Sequence, residues 1–77
     1  MNYIENKVYF ITGASSGIGK ATAVTLLESG GKVFDFSKRR KLTDTMLHDN
    51  LRSFQGDVTS EVDVAAGFAA CLDAFGT

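Results

Sequence analysis

Val8-Tyr9-Phe10-Ile11-Thr12-Gly13-Ala14-Ser15-Ser16-Gly17-Ile18-Gly19 is the stretch on which the reading of this chain turns. Its first five residues are β-branched or aromatic and carry no charge. Such a run suits a strand buried on both faces, as in a parallel sheet. A turn with three glycines follows. Beyond it, Ile18, Ala21, Val24 and Leu27 recur at helical spacing, with Leu26 widening the stripe. That pattern predicts an amphipathic helix over residues 16–29. Gly30 and Gly31 end it, because glycine takes the left-handed cap without strain.

A strand that passes through a tight glycine turn into a helix has a specific physical use. Gly13 permits the backbone angles of the turn, and Gly17 lets the backbone approach a pyrophosphate with no Cβ in the way. Gly19 allows the helix to pack closely on the strand. The free amides and dipole at the helix start suit a phosphate anion, and Ser15 and Ser16 add hydroxyl donors. Three glycines alone are weak evidence, but a buried strand before them and a striped helix after them strengthen the signal. A triphosphate-binding loop of the form G-x-x-x-x-G-K-[ST] fails on register. Aligned on Gly19-Lys20, it needs glycine where Ala14 stands and serine or threonine where Ala21 stands.

The alternation continues outward from the turn. Val33-Phe34-Asp35-Phe36 reads as a second strand, in which Asp35 is out of place because aspartate is a poor strand former. A weaker helix is expected over residues 40–49, with Leu42, Met46 and Leu47 as its large apolar residues. Leu51-Arg52-Ser53-Phe54-Gln55-Gly56 alternates like a third strand. A last helix is expected over residues 60–75, capped by Thr59 or Ser60, with a stripe of Val62, Ala65, Ala66, Ala69 and Leu72. Within it, Gly67 costs helix stability unless something packs closely there. The order β-α-β-α-β-α is the N-terminal half of a doubly wound α/β fold with strand order 3-2-1. Residues 1–77 thus read as a single dinucleotide-binding segment. A nearly pure apolar first strand needs a neighbour on both sides, so the expectation is a truncated piece whose fourth strand lies beyond Thr77.

Composition narrows the class. The chain has 77 residues, 44% hydrophobic and 22% charged, with a net charge of -1. That is an ordinary globular balance with no electrostatic footprint for nucleic acid or an anionic membrane. The cations Lys38, Arg39, Arg40 and Lys41 are too few to line a nucleic-acid groove. The one cysteine, Cys71, forms no internal disulfide or multi-cysteine metal site, which fits a reducing, cytoplasmic compartment. Cys71 reads as a small apolar face residue, His48 as a surface residue, and the six phenylalanines as core or interface.

The segment from Tyr9 to Gly19 resembles the short-chain dehydrogenase/reductase family, whose cofactor motif is T-G-x-x-x-G-x-G. The resemblance extends to Gly31-Lys32-Val33 and to Asp57-Val58, and so covers nearly the whole chain from Lys7 onward. It implies the Rossmann cofactor-binding part of an oxidoreductase that moves hydride between nicotinamide and a carbonyl or alcohol substrate. By the family pattern Gly13, Gly17, Ile18 and Gly19 wrap the pyrophosphate. Asp57 would accept from the adenine amino group, with Val58 beside the ring, or else merely cap the last helix. The resemblance also implies a homo-oligomer at full length.

Cofactor choice rests on the end of the second strand, where a carboxylate holds the ribose hydroxyls of NAD(H) and a basic residue favours the 2′-phosphate of NADP(H). The family's acidic position falls on Ser37, followed by Lys38 and Arg39. A hydroxyl and two cations favour NADP(H). The competing reading uses Asp35, which stands near the roughly 20-residue acid spacing of dinucleotide sites and would hold a ribose. The family's catalytic serine, asparagine and Y-x-x-x-K tyrosine and lysine are not assigned on this chain, whose two tyrosines are Tyr3 and Tyr9. A reading from another class is a nucleotide-binding or regulatory module of the same fold without catalysis.

Overall fold

A computed structural model describes residues 3–14 and 17–76. In chain order they form β1 (Val8–Thr12), α1 (Gly17–Glu28), β2 (Lys32–Ser37), a 3-10 turn at Leu42–Asp44, β3 (Leu51–Gln55) and α2 (Glu61–Phe75). The strands make one parallel sheet with β2 in the middle, so the order read from the far edge is the expected 3-2-1. Phe10 pairs with Phe34, and Asp35 lies between Ile11 and Ser53.

The alternation of side chains along β2 divides the core in two. On one face Val33 and Leu51 pack with Ala14, Ala23, Leu27 and Leu42, so α1 and the 3-10 turn share that side. On the other face the rings of Phe10 and Phe34 stack at 5.4 Å, and those of Phe36 and Phe54 at 5.6 Å. α2 lies over this aromatic layer, with Phe68 stacked on Phe10 at 4.4 Å. β2 is the buried strand. β1, expected to be central, is half-buried at the sheet edge, with Val8 and Phe10 beside a groove of about 240 Å³ that also touches Phe68, Cys71 and Leu72.

Three expectations about helices need correction. The helix over residues 40–49 is absent; only Leu42–Asp44 winds, as a 3-10 turn. Cations at its start oppose the helix dipole. The Thr45 hydroxyl also donates to the Leu42 carbonyl, an alternative to helical continuation. Leu42 alone is fully buried there, and Leu47 is 90% exposed. In α1 the buried positions are Ala23 and Leu27, while Ile18 and Ala21 face outward. In α2 the buried positions are Gly67 and Cys71, while Val62, Ala65, Ala66, Ala69 and Leu72 are exposed. α2 carries two overlapping apolar stripes, and the one containing glycine meets the sheet because only it lets the helix approach the phenylalanine layer.

Both helix ends are locally encoded. Gly30 takes φ 86° after α1, and Gly76 takes φ 78° after α2. Ser60 caps α2 by accepting from the Asp63 N–H. A Cβ built on Gly67 would stand 2.6 Å from two ring atoms of Phe36. That ring is fixed between Phe54 and Phe10 and cannot yield cheaply. Gly67→Ala gains about 1 kcal/mol of helix propensity, but the overpacking costs about 1–3 kcal/mol. The expected result is a net loss of stability, read as a lower urea midpoint at unchanged m-value.

Candidate functional site

Because the sheet is parallel, the C-terminal ends of all three strands lie along one rim, and this is where α/β sheets bind ligands. Thr12, Gly13, Phe36, Lys38, Gly56, Asp57 and Val58 line a cleft of about 250 Å³ at that rim. One wall is the glycine turn. Gly13 has φ 72° and Gly17 φ 60°, conformations in which any Cβ is strained, and nothing lies within 4 Å of a Cβ built on either. Their outer faces are therefore open to a close-lying group. Gly19 is different: its Cβ would stand 2.5 Å from the Gly13 carbonyl oxygen. The third glycine lets the first turn of α1 close onto the turn itself, directly at the end of β1. Ile18 is 87% exposed beside it, and Ser15 and Ser16 lie outside the described residues.

Two main-chain donors of the turn are committed internally. Gly13 N–H donates to the Phe36 carbonyl at 3.0 Å, and Ala14 N–H donates to Oδ1 of Asp35 at 3.2 Å. Asp35 is fully buried and accepts from four donors. Oδ1 also takes the Ser37 hydroxyl at 2.5 Å, while Oδ2 takes Leu42 N–H at 2.7 Å and the Ser53 hydroxyl at 3.1 Å. This resolves why an aspartate stands inside an apolar strand: it offers acceptors to two buried amides that no strand partner reaches. It also removes Asp35 as a ribose ligand, since both oxygens are enclosed by the protein's own donors. Ser37 is likewise 3% exposed, and its proton goes to Asp35 rather than toward the cleft.

The opposite wall carries the charge. Lys38 is 70% exposed and Arg39 is exposed. Gln55 Nε2 donates to the Lys38 carbonyl at 3.2 Å, which ties this loop to the end of β3. Lys38 Nζ lies 3.3 Å from Oδ2 of Asp57 across the cleft. Oδ1 of Asp57 accepts from the Thr59 N–H at 2.8 Å and from its hydroxyl at 2.7 Å. The Thr59 N–H, then its hydroxyl, hold the Asp57 carboxyl below the usual 3.8; lost hydration opposes this, and Lys38 adds a smaller lowering. Asp57 therefore shapes the turn ahead of α2, whose cap is Ser60, and still presents an edge to the cleft beside Val58, which is 58% exposed. The roles of Thr59 and the Lys38–Asp57 ion pair were missed in the sequence; the D-x-T spacing of an Asx turn was the available signal.

A sequence profile for short chain dehydrogenases matches residues 7–77. The chain belongs to this family. Ipsdienol dehydrogenase of Ips pini is 42% identical over 73 residues, which is 95% of this chain and 28% of that enzyme. The short-chain dehydrogenase/reductase cdmF of Talaromyces verruculosus is 40% identical over 76 residues, 99% of this chain and 30% of that protein. The chain thus spans under a third of the length of these two relatives. The 3-ketoacyl-(acyl-carrier-protein) reductase of Brucella melitensis, solved with NADH, superposes with a TM-score of 0.89 at 31% identity. That match covers 96% of this chain and 32% of the reductase. The C-domain of a bacterial malonyl-CoA reductase, solved with NADP, superposes at 0.78 with 28% identity, over 94% of this chain and 13% of that one.

Two residues formally satisfy the catalytic spacing of the family, since Lys7 stands four residues after Tyr3. Their position excludes the role in this cleft. They lie in the turn before β1, five strand residues or about 17 Å from the glycine turn at its other end. Lys7 passes its carbonyl to Lys32 N–H, and Asn6 N–H donates to Gly30, so this segment braces the start of β2. Among the described residues no group of acidic, histidine and cysteine side chains suits a metal ion, and no helix is long and apolar enough to cross a membrane.

The folded-state lowering at Asp57 fixes the sign of its pH dependence. Its contribution is complete above pH 3.8, the ordinary aspartate value, and is lost as pH falls through the lower folded value. The Asp57 carboxyl carbon should titrate by NMR with a midpoint below 3.8. Thr59→Val removes the hydroxyl bond but keeps the main-chain one, and should move that midpoint part of the way back up.

Proposed function

We propose that this chain is the NADP(H)-binding first part of an oxidoreductase that transfers hydride between nicotinamide and a carbonyl or alcohol substrate. The observation that carries the cofactor preference is the division of charge at the end of β2. The only carboxylate of that strand, Asp35, is enclosed by protein donors, while Lys38 and Arg39 stand exposed at the rim. A 2′-phosphate meets two cations there, one of them paired with Asp57, and no accessible carboxylate of β2.

The residues present fit a dinucleotide. Gly13, Gly17, Ile18 and Gly19 would carry the pyrophosphate on open backbone and on the orphan amides at the start of α1, with Ser15 and Ser16 beside them. Lys38 and Arg39 would hold the 2′-phosphate. Ser37 would act only by ending the strand, because its proton is already given to Asp35. Asp57 and Val58 would border the adenine, and Lys38 would leave Asp57 for the phosphate as the cofactor enters. The bound cofactor supplies the hydride chemistry. The domain reading follows: residues 1–77 recognise the dinucleotide, and the proton-transfer groups of the family belong to sequence outside them. NADH and NADP in the two related structures support the cofactor class.

Fluorescence titration of the intact protein with NADPH and NADH tests the preference. NADPH should bind more tightly, and Lys38→Ala or Arg39→Ala should weaken it about tenfold each by loss of a charge-assisted bond, leaving NADH unchanged. Tighter NADH binding that neither substitution alters overturns the NADP(H) assignment.

A further inference from the structure

Asp35 does more than fill a strand position. Its two oxygens bond, beneath the surface, to segments that lead to different walls of the cleft. Oδ1 bonds the Ala14 N–H in the glycine turn, and Oδ2 bonds the Leu42 N–H, where the basic loop of residues 38–41 returns to the core. Ser37 and Ser53 fix the carboxylate from within its own face, one on each oxygen. Ala14, Asp35 and Leu42 are each 0% exposed, so water does not substitute for any of these bonds. A single buried side chain therefore spans from the wall that offers amides to the wall that offers cations. No other described side chain bonds to both walls: Gln55 reaches only the basic loop, and Asp57 meets only Lys38 and its own turn.

We propose that Asp35 is a positioning residue for dinucleotide binding, setting through these two main-chain bonds the spacing between the glycine turn and the basic loop. This rests on the reading of the cleft as a nicotinamide dinucleotide site. Asp35 touches no cofactor atom; it acts by holding the turn and the loop in the places that two separate phosphate groups require. Position matters steeply here, because hydrogen bonds to phosphate lose strength with small errors in distance and angle. The carboxylate is specific to the task. An amide of the same size has one oxygen, so it can face one of the two main-chain N–H groups and must leave the other as a buried orphan.

The test is Asp35→Asn in the intact protein, with Leu27→Ala as control. Leu27 lies at the far end of α1 in the same core cluster as Ala14 and Leu42, and its truncation lowers stability without removing any of the four Asp35 hydrogen bonds. Dissociation constants for NADPH and NADH are measured well below the unfolding temperature of each variant. Asp35→Asn should weaken NADPH about tenfold or more, and NADH less because it has no 2′-phosphate for the basic loop, whereas Leu27→Ala should leave both as in the unsubstituted protein. Lowered stability with unchanged affinity in Asp35→Asn, or equal weakening in both variants, overturns the proposal. If Asp35→Asn does not fold, amide exchange of the unsubstituted protein decides. The Ala14 and Leu42 amides should exchange slowly before ligand is added, and Gly17 and Ile18 should gain protection only with NADPH. Fast exchange at Ala14 that slows only with NADPH overturns the proposal. If the unsubstituted protein binds neither dinucleotide, the reading of the cleft fails and this inference falls with it.

Discussion

The buried carboxylate of Asp35 joins segments that the chain separates widely. The glycine turn, the end of β2, the 3-10 turn and β3 all send a donor to it. Without it, two buried amides would have no acceptor, at a cost of about 1–3 kcal/mol each. In the described part of the glycine turn, Gly13 at φ 72° and Gly17 at φ 60° are neither right-handed helical nor extended. The turn borrows one acceptor from the Phe36 carbonyl and one from Asp35, and both come from the neighbouring strand. The geometry of the glycine turn therefore depends on β2, and β2 on the sheet.

The other face of the sheet works by contact alone. Phe10, Phe34, Phe36 and Phe54 form a layer of rings on which α2 rests at Gly67. This close approach brings the start of α2 to the rim. There Asp63 accepts the Asp57 N–H at 2.9 Å, and Ser60 N–H donates to the Asp57 carbonyl at 3.0 Å. Packing on the aromatic face and polar bonding on the opposite face thus meet at the cleft, one through Asp57 and the other through Ala14. Burial also raises the pKa of the Cys71 thiol, which packs on the aromatic side of α2 like a small apolar residue.

Much of this arrangement was legible beforehand. The T-G-x-x-x-G-x-G spacing marked the turn, the β-branched and aromatic run marked β1, a short apolar run marked β2, alternation marked β3, and glycines at 30 and 31 marked the end of α1. Ser37, Lys38 and Arg39 were seen as one polar group at the strand end, but only the two cations face outward. Asp35 was noticed as an anomaly without its explanation. Its partners lie 2 to 21 positions away, and the pairing of β2 with β1 and with β3 brings the distant ones, Ala14 and Ser53, to it. Residues 40–49 hold enough apolar side chains to suggest a helix, but only Leu42 is fully buried, with Met46 half-buried beside the core.

The sequence by itself determined the three strands, the first and last helices, the place of the glycine turn and the family, because these depend on local backbone preference and on spacing within a few residues. The tertiary structure decided which of two apolar stripes of α2 meets the sheet. It also decided that Ser37 turns inward and that Asp35 serves the protein's own amides rather than a ribose. Those outcomes depend on strand register and on close approach between distant segments, and local periodicity carries no record of either.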